Sequence, residues 1–148
     1  MTRHAALIPL THDHHHFLAH ANRLQEAATG DEGARRLAAD DYVSFYLGKG
    51  LRNMREEKEL FFPAAFFADT EARSTVLRAL AGHLELHHLT HRLQVELSAG
   101  EIAPGSLEQL AGILKEHVRL EETELFAHIQ NATPEEELHR LAQARRDV

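Results

Sequence analysis

The chain has 148 residues, 43% of them hydrophobic and 26% charged, with only eight Gly and four Pro, a composition that suits one helical domain over residues 1–148 and argues against disorder and against a turn-rich β fold. The net charge of −7 leaves no basic patch for nucleic acid, and no run of eighteen apolar residues is present to span a bilayer. The absence of cysteine excludes disulfides, thiolate nucleophiles, zinc fingers and iron–sulfur clusters, so any metal must be held by N and O ligands.

Residues 1–10, interrupted by His4 and Pro9, lack the long apolar segment and cleavage site of a secretory signal, and a cytoplasmic location is expected. From there, breakers at residues 30–33, at Pro63 and residues 69–70, at residues 100–106 and at residues 131–134 divide the chain into four long stretches of helical periodicity and a tail. The first helix is expected over residues 10–28, with Thr11 as a cap, and the second over 34–62, stopped near Pro63. The third begins near Glu71, capped by Thr70, and the fourth starts after the turn that holds Pro104 and Gly105. A short fifth helix runs from Glu135 to about Arg146, with Thr133 as N-cap, Pro134 at its first position and Leu138 and Leu141 as its apolar contacts. Short connections favour antiparallel neighbours, which predicts an all-α, up-down-up-down antiparallel four-helix bundle with the short C-terminal helix across one end.

Thirteen histidines stand out, because imidazole is the commonest protein metal ligand. A wheel at 100° per residue sorts them. On the first helix only His14 shares the apolar stripe of Leu7, Leu10, Phe17, Leu18 and Ala21, while His12, His15, His16 and His20 fall to the flanks. On the second, Tyr46, Gly50, Asn53, Glu57, Leu60 and Phe61 line one stripe, with Glu56 at its edge. The third stacks Val76, Leu80, His83, Leu84, His87 and His91, with His88 to the side. The fourth turns Leu110, Ile113, Leu114, His117, Leu120, Glu121 and Glu124 inward and Glu122 away. Glu56, Glu59 and Glu122 read as surface charges, with orientation of a neighbouring metal ligand as the alternative; Glu121 and Glu122 follow His117 at four and five residues, and local helix distortion can choose either, a regular wheel favouring Glu121. Phe61, Phe62, Phe66 and Phe67 read as the closure of one core end, or as walls of an apolar gas route.

Residues four apart on a helix stand one above the other, so His83 with His87, and His117 with Glu121, each present two donors to one point. Two carboxylates buried beside several imidazoles are costly without a cation. Mixed imidazole and carboxylate donors without sulfur suit iron, manganese or zinc, with iron preferred, and two carboxylates able to bridge favour two ions over one. The Glu-x-x-His spacing of ferritin-like proteins occurs at Glu85 and His88, but the wheel turns Glu85 outward and the fourth helix has no matching pair, which disfavours that chemistry. No nucleophile motif, phosphate loop or dinucleotide fingerprint accompanies these residues.

The segments HDHHHFL, NMREEKELFFP, LAGHLELHHL and KEHVRLEETELF resemble the hemerythrin-like, His-His-Glu cation-binding family, over residues 7–126. The most specific parts are the related phrases REEKELFFP and RLEETELF, each ending a long helix. The resemblance implies an up-and-down four-helix bundle around a non-haem di-iron centre with an oxo or hydroxo bridge and two bridging carboxylates. It assigns His14 as the first-helix ligand, Glu57 and Glu121 as the bridges, His83 and His87 as the third-helix pair and His117 as the fourth-helix imidazole. It further implies a protein that binds or senses dioxygen, nitric oxide or peroxide, or handles iron; a small di-iron oxidase or peroxidase is the alternative. One position departs from the pattern: Asn53 stands where the family usually has a histidine four residues before the bridging Glu. His87 or Glu56 compensating, a water completing the coordination, or a weak or empty second metal position are the outcomes left open, with a single ion, or zinc or manganese, as alternatives in metal content.

Overall fold

A computed structural model describes residues 2–146, and the described residues form helices without any strand. Five helices account for nearly all of them: α1 (Ile8–Ala27), α2 (residues 32–66), α3 (Thr70–Ala99), α4 (residues 104–132) and α5 (Glu135–Arg146). Helix starts follow local chemistry. Asp31 accepts a hydrogen bond from the Ala34 amide at the start of α2, and Asp69 does the same for Ala72 at the start of α3, each satisfying an amide that the first turn leaves free. Pro9 and Pro104 occupy first-turn positions in α1 and α4, where the missing N–H costs nothing. Gly100, at φ 86°, ends α3 in the left-handed conformation, which glycine adopts without steric penalty.

Several sequence expectations change. Thr11 and Thr70 are not caps: α1 starts ahead of Thr11, whose hydroxyl donates to Glu122, and α3 is capped by Asp69. Thr133 does not cap α5, since its buried hydroxyl has no hydrogen-bond partner. Pro63 does not stop the second helix, which runs on to Phe66. Just before Pro63, residues 57–61 form a π-turn, closed by the Phe62 amide donating to the Glu57 carbonyl. This wider turn makes room for the proline ring. Of the two further π-turns, at residues 46–50 in α2 and 121–125 in α4, the latter is closed likewise by Phe126 onto Glu121. Leu84 and His91, placed on the inner stripe of the third helix, are exposed, as is Phe67. They lie beyond the arc that neighbouring helices cover.

The helices bury two apolar clusters. One contains Phe17, Leu24, Tyr42, Tyr46, Met54, Leu86 and Leu114, and the other Leu7, Leu10, Phe61, Phe62, Ala79, Leu125 and Phe126. Between them every long helix carries a buried polar residue: His14, Glu57, His83, and His117 with Glu121. Leu138 of α5 joins the second cluster. No helix of the described residues is long and apolar enough to cross a membrane.

Candidate metal centre

Five side chains from four helices converge in the polar layer. His14 Nε2 lies 2.9 Å from Glu121 Oε1 and 3.5 Å from Glu57 Oε2. On the other side, His83 Nε2 lies 3.5 Å from Glu57 Oε1 and 3.4 Å from Glu121 Oε2, and His117 Nε2 lies 3.1 Å from the same Glu121 oxygen. Each carboxylate therefore turns one oxygen toward His14 and the other toward the His83–His117 pair. Both carboxylates are fully buried.

The three Nε2 atoms and all four carboxylate oxygens are buried yet lack an aligned hydrogen bond, despite these short separations. Buried polar atoms left without hydrogen bonds are costly unless a cation occupies the space they share. Glu57, His83, His117 and Glu121 bring four candidate ligand atoms within 4.8 Å of one another. Three imidazoles and two carboxylates without sulfur fit a borderline divalent or trivalent ion.

Electrostatics report the same imbalance. Burial lowers the pKa of His14, but its contacts with Glu121, Glu122 and Glu57 prevail and hold it well above the usual histidine value. Burial also opposes the charged form of His83, which Glu121 and Glu57 nevertheless push up to about 9. The two carboxyls titrate as one system: burial and the neighbouring Glu121 charge push Glu57 up, whereas His117, Glu57 and His14 outweigh burial at Glu121 and hold it well below the usual range. Protons on His14 and His83 thus balance carboxylates that a metal cation can balance instead.

Aromatic rings and glycine fix the imidazoles. His14 stacks on Phe126 with centroids 5.5 Å apart, and His83 on Phe62 at 5.7 Å. A Cβ at Gly82 would stand 2.8 Å from His117 Nδ1, so α3 and the His117 ring approach this closely only with glycine at that position.

The remaining candidates lie elsewhere. His87 is half-buried, its Nδ1 2.5 Å from the Tyr46 hydroxyl, and it falls outside the group of four. Asn53 is buried, donates from Nδ2 to Asp13 over 3.1 Å and leaves its Oδ1 without a partner. Glu56 is not a surface charge: it is 2% exposed and pairs with Arg52 and Arg145. Glu122 does not simply point away, because its Oε1 lies 2.8 Å from His14 Nδ1, which leaves Nε2 of that ring free to face the centre. Glu85 and His88, the ferritin-like spacing, are both exposed. The sequence reading missed Gly82, Asp13 and Arg145 altogether. The paired glutamates 56–57 and 121–122 were the available signal for a carboxylate standing behind a ligand, but nothing local marks Gly82 or Arg145.

A cleft of about 510 Å³ opens beside the centre between α2 and α3, with Met54, Leu80, His83 and His87 in its wall and Arg55 and Lys58 at its rim. The family model described as the hemerythrin HHE cation binding domain matches residues 8–129. No curated protein and no solved structure matches the chain.

Proposed function

Because the chain belongs to the hemerythrin HHE cation-binding family, we propose that its polar layer holds two metal ions, iron by preference, and that a small ligand such as dioxygen, nitric oxide or peroxide binds there. The observation that carries two ions rather than one is the division of the carboxylate oxygens. Glu57 Oε2 and Glu121 Oε1 face His14, while Glu57 Oε1 and Glu121 Oε2 face His83 and His117. That division supports a bridging role for both carboxylates.

In this reading the His83–His117 position has two imidazoles, with His87 next to it, and the His14 position has one, with the buried, unpartnered Asn53 oxygen as a candidate donor far weaker than imidazole. Iron, when bound, supplies reversible coordination and electron transfer toward small molecules that these side chains cannot provide. The protein's own residues hold and orient. Glu122 fixes the His14 ring through Nδ1, Phe62 and Phe126 cover two imidazoles, and the cleft along His83 and His87 offers a route for a small ligand. An up-down-up-down order of α1 to α4, within one domain, is part of the same proposal. It is supported by Ile102, between α3 and α4, bonding Glu32 and Arg35 at the start of α2. A cytoplasmic setting, where iron is available reduced, accords with a chain free of cysteine.

Metal analysis with an ultraviolet–visible spectrum, on protein purified without an affinity tag, tests the reading. About two irons per chain with ligand-to-iron charge-transfer bands are expected. Protein that takes up no iron, or holds one zinc ion per chain, would overturn it. His83→Ala and His117→Ala should lower the stoichiometry, and His16→Ala, at an exposed position, should not. The rate of autoxidation then separates a reversible carrier from an oxidase.

A further inference from the structure

A second, partly buried polar cluster adjoins the centre, and its key residue comes from α5, beyond the family-matched segment. Arg145 reaches two carboxylates at once: Nη2 hydrogen-bonds Asp13 Oδ2 over 2.9 Å, and Nε lies 2.5 Å from Glu56 Oε2 as an ion pair without hydrogen-bond alignment. Asp13 also accepts from Asn53 Nδ2, and Glu56 accepts from Arg52 over 2.9 Å. Every carboxylate here is next to a residue of the centre, since Asp13 precedes His14 and Glu56 precedes Glu57. Glu56 and Asn53 are almost fully buried. A carboxylate so placed is stable only with its cationic partners present, and a forked guanidinium can serve two carboxylates where an ammonium serves one point. Apolar packing of Leu138, with Leu141 and Ala142 beside it, docks α5 against the second core cluster.

We propose that α5 is a clamp on the His14–Asn53 side of the metal centre. Arg145 is its positioning residue: by holding Asp13 and Glu56 it holds His14 and Glu57, and it slows ion exchange on that side, while the opposite side faces the cleft at His83 and His87. This inference rests on the metal-binding reading above, and its test separates the two.

Iron(II)-loaded protein is mixed with excess chromogenic chelator under anaerobic conditions, and release is followed as absorbance against time. Arg145→Ala is expected to release one of the two ions about tenfold faster, in the range seen when groups supporting metal ligands are removed, with the other ion at the wild-type rate. Arg145→Lys, which keeps the charge but loses the fork, should fall between. Leu138→Ala, which loosens α5 without touching a charge, should shift the same phase. Release by Arg145→Ala at wild-type rates, or both phases quickened alike as in general loosening, overturns the clamp. Should the wild type take up no iron, the metal reading fails, and amide hydrogen exchange on the metal-free protein decides the clamp. Arg145→Ala should then speed exchange at residues 13–17 and 53–57 but not at 83–87, and unchanged exchange overturns it.

Discussion

The two ends of long helices that carry the phrases EEKELF (residues 56–61) and EETELF (residues 121–126) look alike in sequence, yet they are used one residue out of step. Aligned by the phrase, Glu57 corresponds to Glu122 and Phe61 to Phe126. In the structure Glu57 corresponds to Glu121, because these are the two fully buried carboxylates of the centre. Phe62 likewise corresponds to Phe126: each closes a π-turn onto the buried glutamate and stacks on an imidazole. The spare glutamate consequently differs. In α2 it comes first, as Glu56, and turns to Arg52 and Arg145; in α4 it comes second, as Glu122, and turns to His14, Thr11 and Arg3. Both of these π-turns start at the buried glutamate, so they keep step with the site and not with the phrase, and the same letters feed it in two registers. The residue four positions before the buried glutamate differs between the two, Asn53 in one helix and His117 in the other.

The comparison can be broken most severely at the buried glutamates. Glu57→Gln and Glu121→Gln should each reduce iron from two ions per chain to one or fewer, with the larger loss at Glu121, whose oxygens lie closer to imidazoles at 2.9 and 3.1 Å. Equal, intact iron content in both variants would mean that neither carboxylate bridges. The spare glutamates come next. Glu122→Gln should weaken metal affinity by about 10–100-fold through loss of the His14 support, measured by chelator competition, whereas Glu56→Gln should cost less because it touches no imidazole. A larger effect at Glu56 would reverse the assignment of roles.

A smaller effect is expected at Gly82. Alanine there improves helix propensity by about 1 kcal/mol but overpacks His117 at a cost of about 1–3 kcal/mol. Weaker metal binding without a matching fall in the melting temperature of the metal-free protein is the expected signature; unchanged affinity would show that the ring can move aside. Asn53→His should have the smallest effect. It adds an imidazole on the His14 side but loses the hydrogen bond to Asp13, worth about 0.5–1.5 kcal/mol, so a few-fold tightening of the second ion is expected. No tightening at all in a titration would mean that Asn53 is held for Asp13 and Arg145 rather than standing in for a ligand.

Much of the molecule is legible in the chain because helices are local. Breakers and apolar spacing mark five helices, and the inward stripes of the wheel hold His14, Glu57, His83, His117 and Glu121, which the structure brings into one layer, but also His87, His91 and Glu124, which it does not. The same wheel misplaces Leu84 and His91, and it gives Glu56 and Glu122 no buried role. A uniform 100° step knows neither the extra residue of a π-turn nor how wide an arc the neighbouring helices cover. His87 shows another limit, since its spacing from His83 suits a shared ion while its Nδ1 engages Tyr46 from a different helix.

The sequence by itself determined the helical class, the family and the donor types available to a metal, since composition, periodicity and i, i+4 spacing are properties of the chain within a few turns. Only the tertiary structure decided which oxygen of each carboxylate meets which imidazole, that Gly82 admits the His117 ring, and that Arg145 closes over Asp13 and Glu56 from 132 residues away in the first case. Those contacts join residues far apart in sequence, and their energies depend on burial and distance, which exist only once the helices have packed.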